Sequence, residues 1–556
     1  MIEQTRTFDY IVVGGGSAGC VLASRLSEEK DRTVLLLEAG GNDSDFLLRM
    51  PLAFLRAMLQ PRFSWGYFSE PEPQLHGRRV PLPRGRVLGG SGSINGLFYM
   101  RGHSLDFDGW RATGCEGWGY ADVLPYFKRM ETSWRGANVW HGDRGPLHVC
   151  AIQPVRALHE RLMQTAQAAG FGTTEDLHGE IEEGFSCGEV TIDPRGRRAS
   201  TSWAYLHPVM RRSNLHITLN ALATRVLVEN GRAVGVEYSE NGQLRQVRAS
   251  REVILAGGTY NSPQLLMLSG IGPADELRRL GIAPVADLPG VGRNLSEHPH
   301  IPVEFETSAP TFLDQLRFDR AARAVLRWAL LGSGPFATQI NCCNVVVRTR
   351  PDLSQPDVQL MCNPIRMDAR LWFPVVAPRQ EHRVTADVVV LHERSRGWVT
   401  LRSPNPLDPP RVQLNLFSDS ADFEIARRGI RTARRIFATR PQADIIARET
   451  RPGPAVQSDA EIDAYVRQTS QVTQHPVGTC SMGAGADAVV DPQLRVRGIE
   501  ALRVVDASIM PTVPGANTNA AVVMIAERAS DLIRGRPPLT PEHVRGTRRI
   551  PETVEA

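Results

Sequence analysis

The sequence almost lacks lysine. Of 64 basic residues in 556, only Lys30 and Lys128 are lysine; the other 62 are arginine, interspersed with 60 acids for a net charge of +4. Mixed signs without a basic block argue against nucleic-acid binding. Cysteine is sparse. Cys20, Cys115, Cys150, Cys187, Cys342, Cys343, Cys362 and Cys480 form no CxxC pair and no Cys/His cluster at zinc spacing, so neither a disulfide scaffold nor a metal site is expected. A reducing, cytoplasmic setting fits that usage. No apolar run approaches the ~18 residues of a membrane span, which leaves only peripheral attachment open. The opening "MIEQTRTFDY" has no basic-then-apolar leader pattern. No repeat at solenoid or propeller spacing occurs. What remains is a long chain, 42% hydrophobic, with room for a large core and more than one domain.

Glycine, by contrast, is plentiful and placed. "FDYIVVGGGSAGCVLASRLSEE" predicts a strand over 8–13, a turn, then a helix, and "TVLLLEAG" a second strand ending at Glu38. Gly14, Gly16 and Gly19 stand in GxGxxG spacing, with Glu38 nineteen residues after Gly19. This is a dinucleotide fingerprint: a tight turn, room for a pyrophosphate, close helix–strand packing, and an acid for a ribose diol. Ser17, Ala18 and Ala39 lie on the same turns. The stretch 15–19 also reads G-x-S-x-G, a hydrolase nucleophile pattern; that alternative leaves Glu38 without a purpose.

"GRVLGGSGSINGLFYMRG" (85–102) is a second glycine-rich loop, suited to pass close to a flat ring system. "LRVVDASIMPTVPGANTNAAVVMIAERASDLI" brings the chain back late to a strand, Asp506, a loop and a long helix. In "TQHPVGTCSMG", Pro476 biases His475 towards extended backbone and Gly478 permits a sharp turn. Such a histidine is either loop punctuation or an aimed imidazole. Asn517, Thr518 and Asn519 are favoured helix caps as well as polar candidates. Cys480 reads as a small buried hydrophobe.

Together, these blocks and "AGGTYNSPQLLMLSGIG" (256–272) resemble the glucose–methanol–choline (GMC) oxidoreductases over nearly the whole length, in their choline dehydrogenase-like, FAD-dependent alcohol dehydrogenase branch. The resemblance implies an α/β, Rossmann-like FAD-binding domain and a discontinuous α+β substrate domain on an antiparallel sheet. It makes His475 the active-site histidine and Asn517 its partner. It adds Arg86, Gly90, Ser93, Asn95, Gly96, Leu97, Val226, Ala256, Gly257, Asp506, Ala507, Thr518 and Asn519 to the glycine turn, Glu38 and Ala39 as FAD contacts. Where some members attach flavin covalently through a histidine, this chain has Ile94, so FAD is expected to be non-covalent. The implied reaction is oxidation of a primary alcohol to an aldehyde, with hydride transfer to flavin N5 and His475 as base. A cyanohydrin-type lyase on the same scaffold is the alternative. Oxygen and a quinone or electron-transfer protein both remain as acceptors.

The expected FAD-binding segments are 1–155, 215–305 and 470–545. Residues 156–214 and 306–469 would form the substrate domain, with a loosely ordered Pro- and charge-rich stretch beyond 536 ending in a tail at 546–556. Phe336, Gln339, Trp372, Phe373 and His392 are expected at the substrate pocket. No acidic–aromatic cage for a quaternary ammonium stands out, so a primary alcohol with an aromatic or aliphatic body is the first expectation. "FDRAARAVLRWALLGSGPF" reads as an amphipathic packing helix, with a lid or a membrane-facing helix as alternatives.

Overall fold

The computed structural model describes residues 6–374 and 376–544. The first apolar run is strand β1 (Thr7–Val13), followed by α1 (Ser17–Leu26) and β2 (Val34–Leu37). Strand β3 (Leu215–Thr218) lies beyond β2. The order β3-β2-β1 continues to the C-terminal half of β6 (Gln243–Leu255), and a late strand, Leu502–Val504, pairs on β6's far side; all of these pairs are parallel. A parallel sheet covered on both faces needs strands that are apolar throughout. The wholly buried "VLLL" of β2 meets that demand. The N-terminal half of β6 leaves the parallel layer and forms an antiparallel ribbon with β4 (Ala221–Glu229) and β5 (Arg232–Glu240).

Two glycines fix how α1 meets β1. Gly14 adopts φ +104°, and a Cβ there would stand 2.5 Å from the Ala256 carbonyl oxygen. A Cβ on Gly19 would lie 1.8 Å from the Gly14 carbonyl oxygen. The C-terminal helix Asn519–Arg534 packs alongside α1, which explains why it is buried nearly all round. Ser17 Oγ donates to Asn519 Oδ1 at 2.7 Å, and Arg25 pairs with the buried Glu527 at 2.8 Å. The two ends of the chain thus form one layer.

The second sheet is antiparallel. Its strands run in the order Ile446–Arg451, Glu304–Thr307, Arg383–Val390, Val358–Asn363, Cys343–Val347, Gly184–Ser186, and Pro299–Ile301 bridges Arg383–Val390 to Gln471–Val472. Alternation divides the two faces. Val358, Leu360, Cys362, Val384, Ala386, Val388 and Val390 share a core with the helix Ser420–Phe437. Gly429 of that helix comes so close that a Cβ would sit 2.5 Å from Val388 Cγ1. The intervening residues, among them Met361, Asn363 and Asp387, face the first sheet's cavity.

These pairings move the expected boundaries. Pro299–Ile301, Glu304–Thr307 and Gln471–Val472 belong to the second sheet, because β-pairing follows register rather than the end of the preceding motif. Residues 202–206, assigned to the substrate side, pack on α1, with Tyr205 donating to Glu527 at 2.7 Å. The stretch beyond 536 is not loose as far as 544: Leu539 N–H donates to Tyr126 Oη, Glu542 N–H to the Ala121 carbonyl, and Lys128 pairs with Glu542. The expected tail, 546–556, lies outside the described residues.

A buried ionic knot ties the strands Phe98–Tyr99 and Glu131–Ser133 to the loops that carry Arg101 and His141. Glu131 accepts from Arg101 Nη2 at 2.7 Å, from Tyr99 Oη at 2.5 Å and from Gly142 N–H at 3.1 Å, and contacts His141 Nδ1 at 2.9 Å. Arg101 holds the Glu131 carboxyl down at about 2 against the raising effect of burial.

Candidate active site

The carboxyl ends of β2, β1, β6 and strand Leu502–Val504 open into one cavity of about 590 Å³, roofed by the antiparallel sheet. Ligands of open parallel sheets bind at such an edge. Along the sheet edge, its lining runs from Glu38, Ala39 and Ala221–Ala223 past Gly14, Gly16, Ser17, Ala18, Ala256 and Gly257 to Asp506 and Ala507. Arg86, Gly90, Asn95, Gly96 and Leu97 come from the second glycine loop, and His475, Asn517, Thr518 and Asn519 from the C-terminal segments.

The lining suits FAD. A Cβ on Gly16 would meet no protein atom within 3.9 Å, whereas a Cβ on Gly14 or Gly19 would clash. The fold itself therefore has room for a side chain at Gly16, at the cavity wall. α1 and the helix Asn519–Arg534 both begin at the cavity and turn unpaired N–H groups and positive dipole ends towards it. Glu38 Oε2 accepts from Gly15 N–H and Oε1 from Gly40 N–H, each at 2.8 Å, which fixes the carboxyl beside the turn; burial pushes it up to about 7. Asp506 accepts from Gly258 N–H, Ser262 Oγ and Ser508 N–H. It thereby locks the late loop against the β6 turn.

Three expected cofactor residues do not line the cavity. Gly19 is consumed by helix–strand packing. Ser93 Oγ donates to the Leu88 carbonyl and holds its own loop. The Val226 N–H donates to Ser269 Oγ, so Ala221–Ala223 at the start of β4 form the cavity wall there. Four of the five expected pocket residues are also elsewhere. Phe336 and Trp372 pack around the helix Phe318–Leu331, Phe373 is exposed, and His392 sits by Gly515. Gln339 does line the cavity, joined by His300, Met361, Asn363 and Asp387. The missed signal was polar residues alternating with apolar ones inside two buried strands, Gln359/Asn363 and Thr385/Asp387.

At the C-terminal end His475 is held on every side. Its N–H donates to Glu297 Oε1 at 2.6 Å, and Gly478 turns at φ +95°, where a Cβ would strike the Asn294 carbonyl oxygen at 2.2 Å. Its Nδ1 lies 3.1 Å from His298 Nδ1 and 2.9 Å from Thr473 Oγ1, and its Nε2 lies 3.1 Å from Asn517 Nδ2. His298 Nε2 is 3.0 Å from the Leu391 carbonyl, which accepts only, so the proton of His298 is on Nε2. Burial pushes His298 down to about 3, so it is neutral and its Nδ1 is a bare acceptor. The proton between the two rings therefore belongs to His475 Nδ1, and His475 Nε2 presents a lone pair next to Asn517. Burial, His298 and the Arg84 charge hold His475 well below its ordinary value. Burial raises Glu297 to about 8. Asn517 Oδ1 is buried and without a protein partner among the described residues. No side chain caps the last helix; Asn517 turns to His475, and Asn519 takes the Ser17 hydroxyl. That last bond also leaves Ser17 without a histidine base, so the hydrolase pattern has no chemistry behind it.

Arg198 was missed as well. It is fully buried, donates to Asn95 Oδ1 at 2.6 Å and to the Gly92 and Leu48 carbonyls, and its Nη2 has no partner among the described residues. Since Asn95 Oδ1 also accepts from Leu97 N–H, the amide's donors are left for the cavity.

A nucleotide-binding sheet closed by an antiparallel sheet over a buried, neutral histidine defines a flavin-dependent oxidoreductase of alcohols. The chain belongs to the GMC oxidoreductases: the family's N-terminal model matches residues 8–300 and its C-terminal model residues 393–526. It is 43% identical over 549 residues to mitochondrial choline dehydrogenase of Mus musculus (97% of this chain, 91% of that one), and 44% identical over 535 residues to oxygen-dependent choline dehydrogenase of Rhizobium etli (96% of each). Among solved structures, pyridoxine 4-oxidase from Mesorbium loti matches with TM-score 0.85 at 29% identity, covering 95% of this chain and all of that one. Formate oxidase of Aspergillus oryzae RIB40, solved to examine a mutation's effect on FAD modification, matches with TM-score 0.88 at 27% identity, covering 95% and 98%. The protein is an FAD-dependent enzyme that oxidises a CH–OH donor.

Proposed function

We propose that His475 Nε2 is the base that takes the alcohol's hydroxyl proton and that Asn517 holds the same oxygen. The observation that carries this is the His298–His475–Asn517 chain, which fixes the lone pair of His475 on Nε2, at the cavity and accepting from Asn517 Nδ2. FAD, when bound, supplies the hydride acceptor. The protein's part is to fix the lone pair, exclude water and seat the carbinol carbon. His298 is a positioning residue, since it selects the tautomer of His475 without reaching the cavity itself.

The relatives named choline dehydrogenases make choline the first alcohol to test. Asp387 is the carboxylate that the antiparallel sheet brings to the cavity; its Oδ1 is 3.5 Å from His300 Nε2, and its Oδ2 accepts from Asn363 at 3.0 Å. A small primary alcohol with a polar or cationic end suits that wall better than the purely aromatic or aliphatic body expected from the sequence. FAD is held non-covalently in this reading: Ile94 lines the cavity, and no cysteine does. The test is an anaerobic titration of the oxidised flavin spectrum with choline, benzyl alcohol, octanol and a glycol. Bleaching names the substrate class, and the rate of recovery in air separates oxygen from another acceptor. A spectrum that every alcohol leaves unchanged would overturn the substrate assignment.

A further inference from the structure

The helix Phe318–Leu331 is anchored yet largely uncovered. At about 100° per residue, Ala321, Ala324 and Trp328 fall on one side, and these are the buried ones, packed with Phe312, Phe336 and Ile365. Trp328 Nε1 donates to the Gly196 carbonyl at 2.7 Å, and Gly332 closes the helix with its N–H on the Trp328 carbonyl. The next arc holds Phe318, Val325, Leu326 and Leu330, of which Leu330 is 73% and Leu326 59% exposed. Arg317 bridges to Trp372, which brings Leu371, Phe373 and Val376 alongside. Of the nineteen exposed large apolar side chains among the described residues, nine lie on this helix or on residues 367–376. Arg323, Arg327 and Arg320 border the arc on one side, and the helix's one acid, Asp319, which falls within the arc, is bound in both oxygens by Arg317.

A rigid helix about 21 Å long with an open apolar arc and an arginine border has the composition of an interfacial helix. We propose that this face docks on an anionic lipid bilayer, with Phe318, Leu326 and Leu330 in the acyl boundary and Arg320, Arg323 and Arg327 at the headgroups. The arginine border is what favours a bilayer over a second copy of the chain, because self-pairing about a two-fold axis would set that cationic edge near its own equivalent. Met367 belongs both to the patch and to the cavity lining, so docking would bring the mouth of the active site to the membrane surface. No helix among the described residues is long and apolar enough to cross a membrane; the contact is peripheral.

The test is co-sedimentation of the flavin-loaded protein with vesicles of phosphatidylcholine alone or with about one third phosphatidylglycerol. Binding is expected to the anionic vesicles, to weaken with salt, and to fall about fivefold for each of Arg320→Gln, Arg323→Gln and Arg327→Gln. Leu326→Glu with Leu330→Glu should abolish it while alcohol oxidation in free solution is unchanged, which reports intact folding. Absence of wild-type sedimentation with anionic vesicles would overturn the proposal, as would a double variant that sediments like wild type. Sedimentation velocity covers the remaining occupant: a dimer dispersed by Leu330→Glu would give the face to a second copy.

Discussion

At the scale of single residues, the cavity separates glycines that serve the fold from those that serve the ligand. A Cβ on Gly19 would sit 1.8 Å from backbone oxygen, while a Cβ on Gly16 meets nothing within 3.9 Å. Gly19→Ala should therefore lower the yield of folded protein, whereas Gly16→Ala should melt near the wild-type temperature but bind FAD at least tenfold more weakly, an effect of ~1.4 kcal/mol or more. Calorimetry of FAD binding to the apoproteins checks this; equal FAD affinity of Gly16→Ala and wild type would remove the turn from the cofactor site. His475 makes a second prediction. Its proton-accepting form is the neutral one, and burial, His298 and Arg84 lower its pKa. The acid limb of kcat/KM assigned to this group should therefore lie below about pH 6.5, the ordinary histidine value. His475→Ala should slow anaerobic flavin reduction by roughly 10²–10⁴-fold. A limb above pH 6.5, or reduction near the wild-type rate, would assign the base elsewhere.

At the scale of elements, the strand–turn–helix at 7–26 was legible because its signals are local: an apolar strand end at Tyr10–Val13, glycines at fixed offsets, an acid just past β2. The substrate wall was not. His300, Met361, Asn363 and Asp387 come together only through the pairing of strands distant in sequence; the alternation within Val358–Asn363 and Arg383–Val390 separates a polar face from an apolar one but does not by itself set that face over a cavity. Aromatic residues were favoured instead, and most of those proved to belong to a separate core around the helix Phe318–Leu331. The Arg101–Glu131 knot was equally invisible. It supports a stability prediction: Glu131→Ala leaves the arginine charge buried and unpaired, at a cost of roughly 3–5 kcal/mol. Replacing both, Arg101→Met with Glu131→Leu, should cost clearly less. Because the folded pKa of Glu131 is depressed to about 2, its contribution is complete above the unfolded value of about 4.3 and is lost as pH falls through 2. Urea melts at neutral pH and near pH 3 measure both statements; a single variant no worse than the double would show that the knot is not a charge pair in need of both members.

At the scale of the whole molecule, one cavity is built from residues 14–39, 86–97, 221–223, 256–257 and 475–519, so the cofactor joins segments that the chain keeps far apart. The protein's own ties across that distance are the apolar packing of α1 on the last helix, the pairing of Leu502–Val504 with β6, and polar contacts from Ser17 to Asn519, Arg25 to Glu527, Tyr205 to Glu527, and Asp506 to Gly258 and Ser262. FAD adds to them only in the folded state, where its site exists, and a ligand of that kind stabilises by mass action. The apoprotein should therefore melt below the holoprotein, and FAD at a hundred times its Kd should restore ~2.7 kcal/mol, a rise of roughly 2 °C in Tm for a chain of this length. The same logic separates non-covalent from covalent flavin. Acid or chaotrope that unfolds the chain destroys every one of these contacts at once, and the yellow colour should leave with the supernatant. Melting temperatures that do not respond to added FAD, together with colour retained on the precipitate, would mean that a bond to the chain and not the assembled cavity holds the cofactor, and Ile94 would then have been the wrong place to look for it.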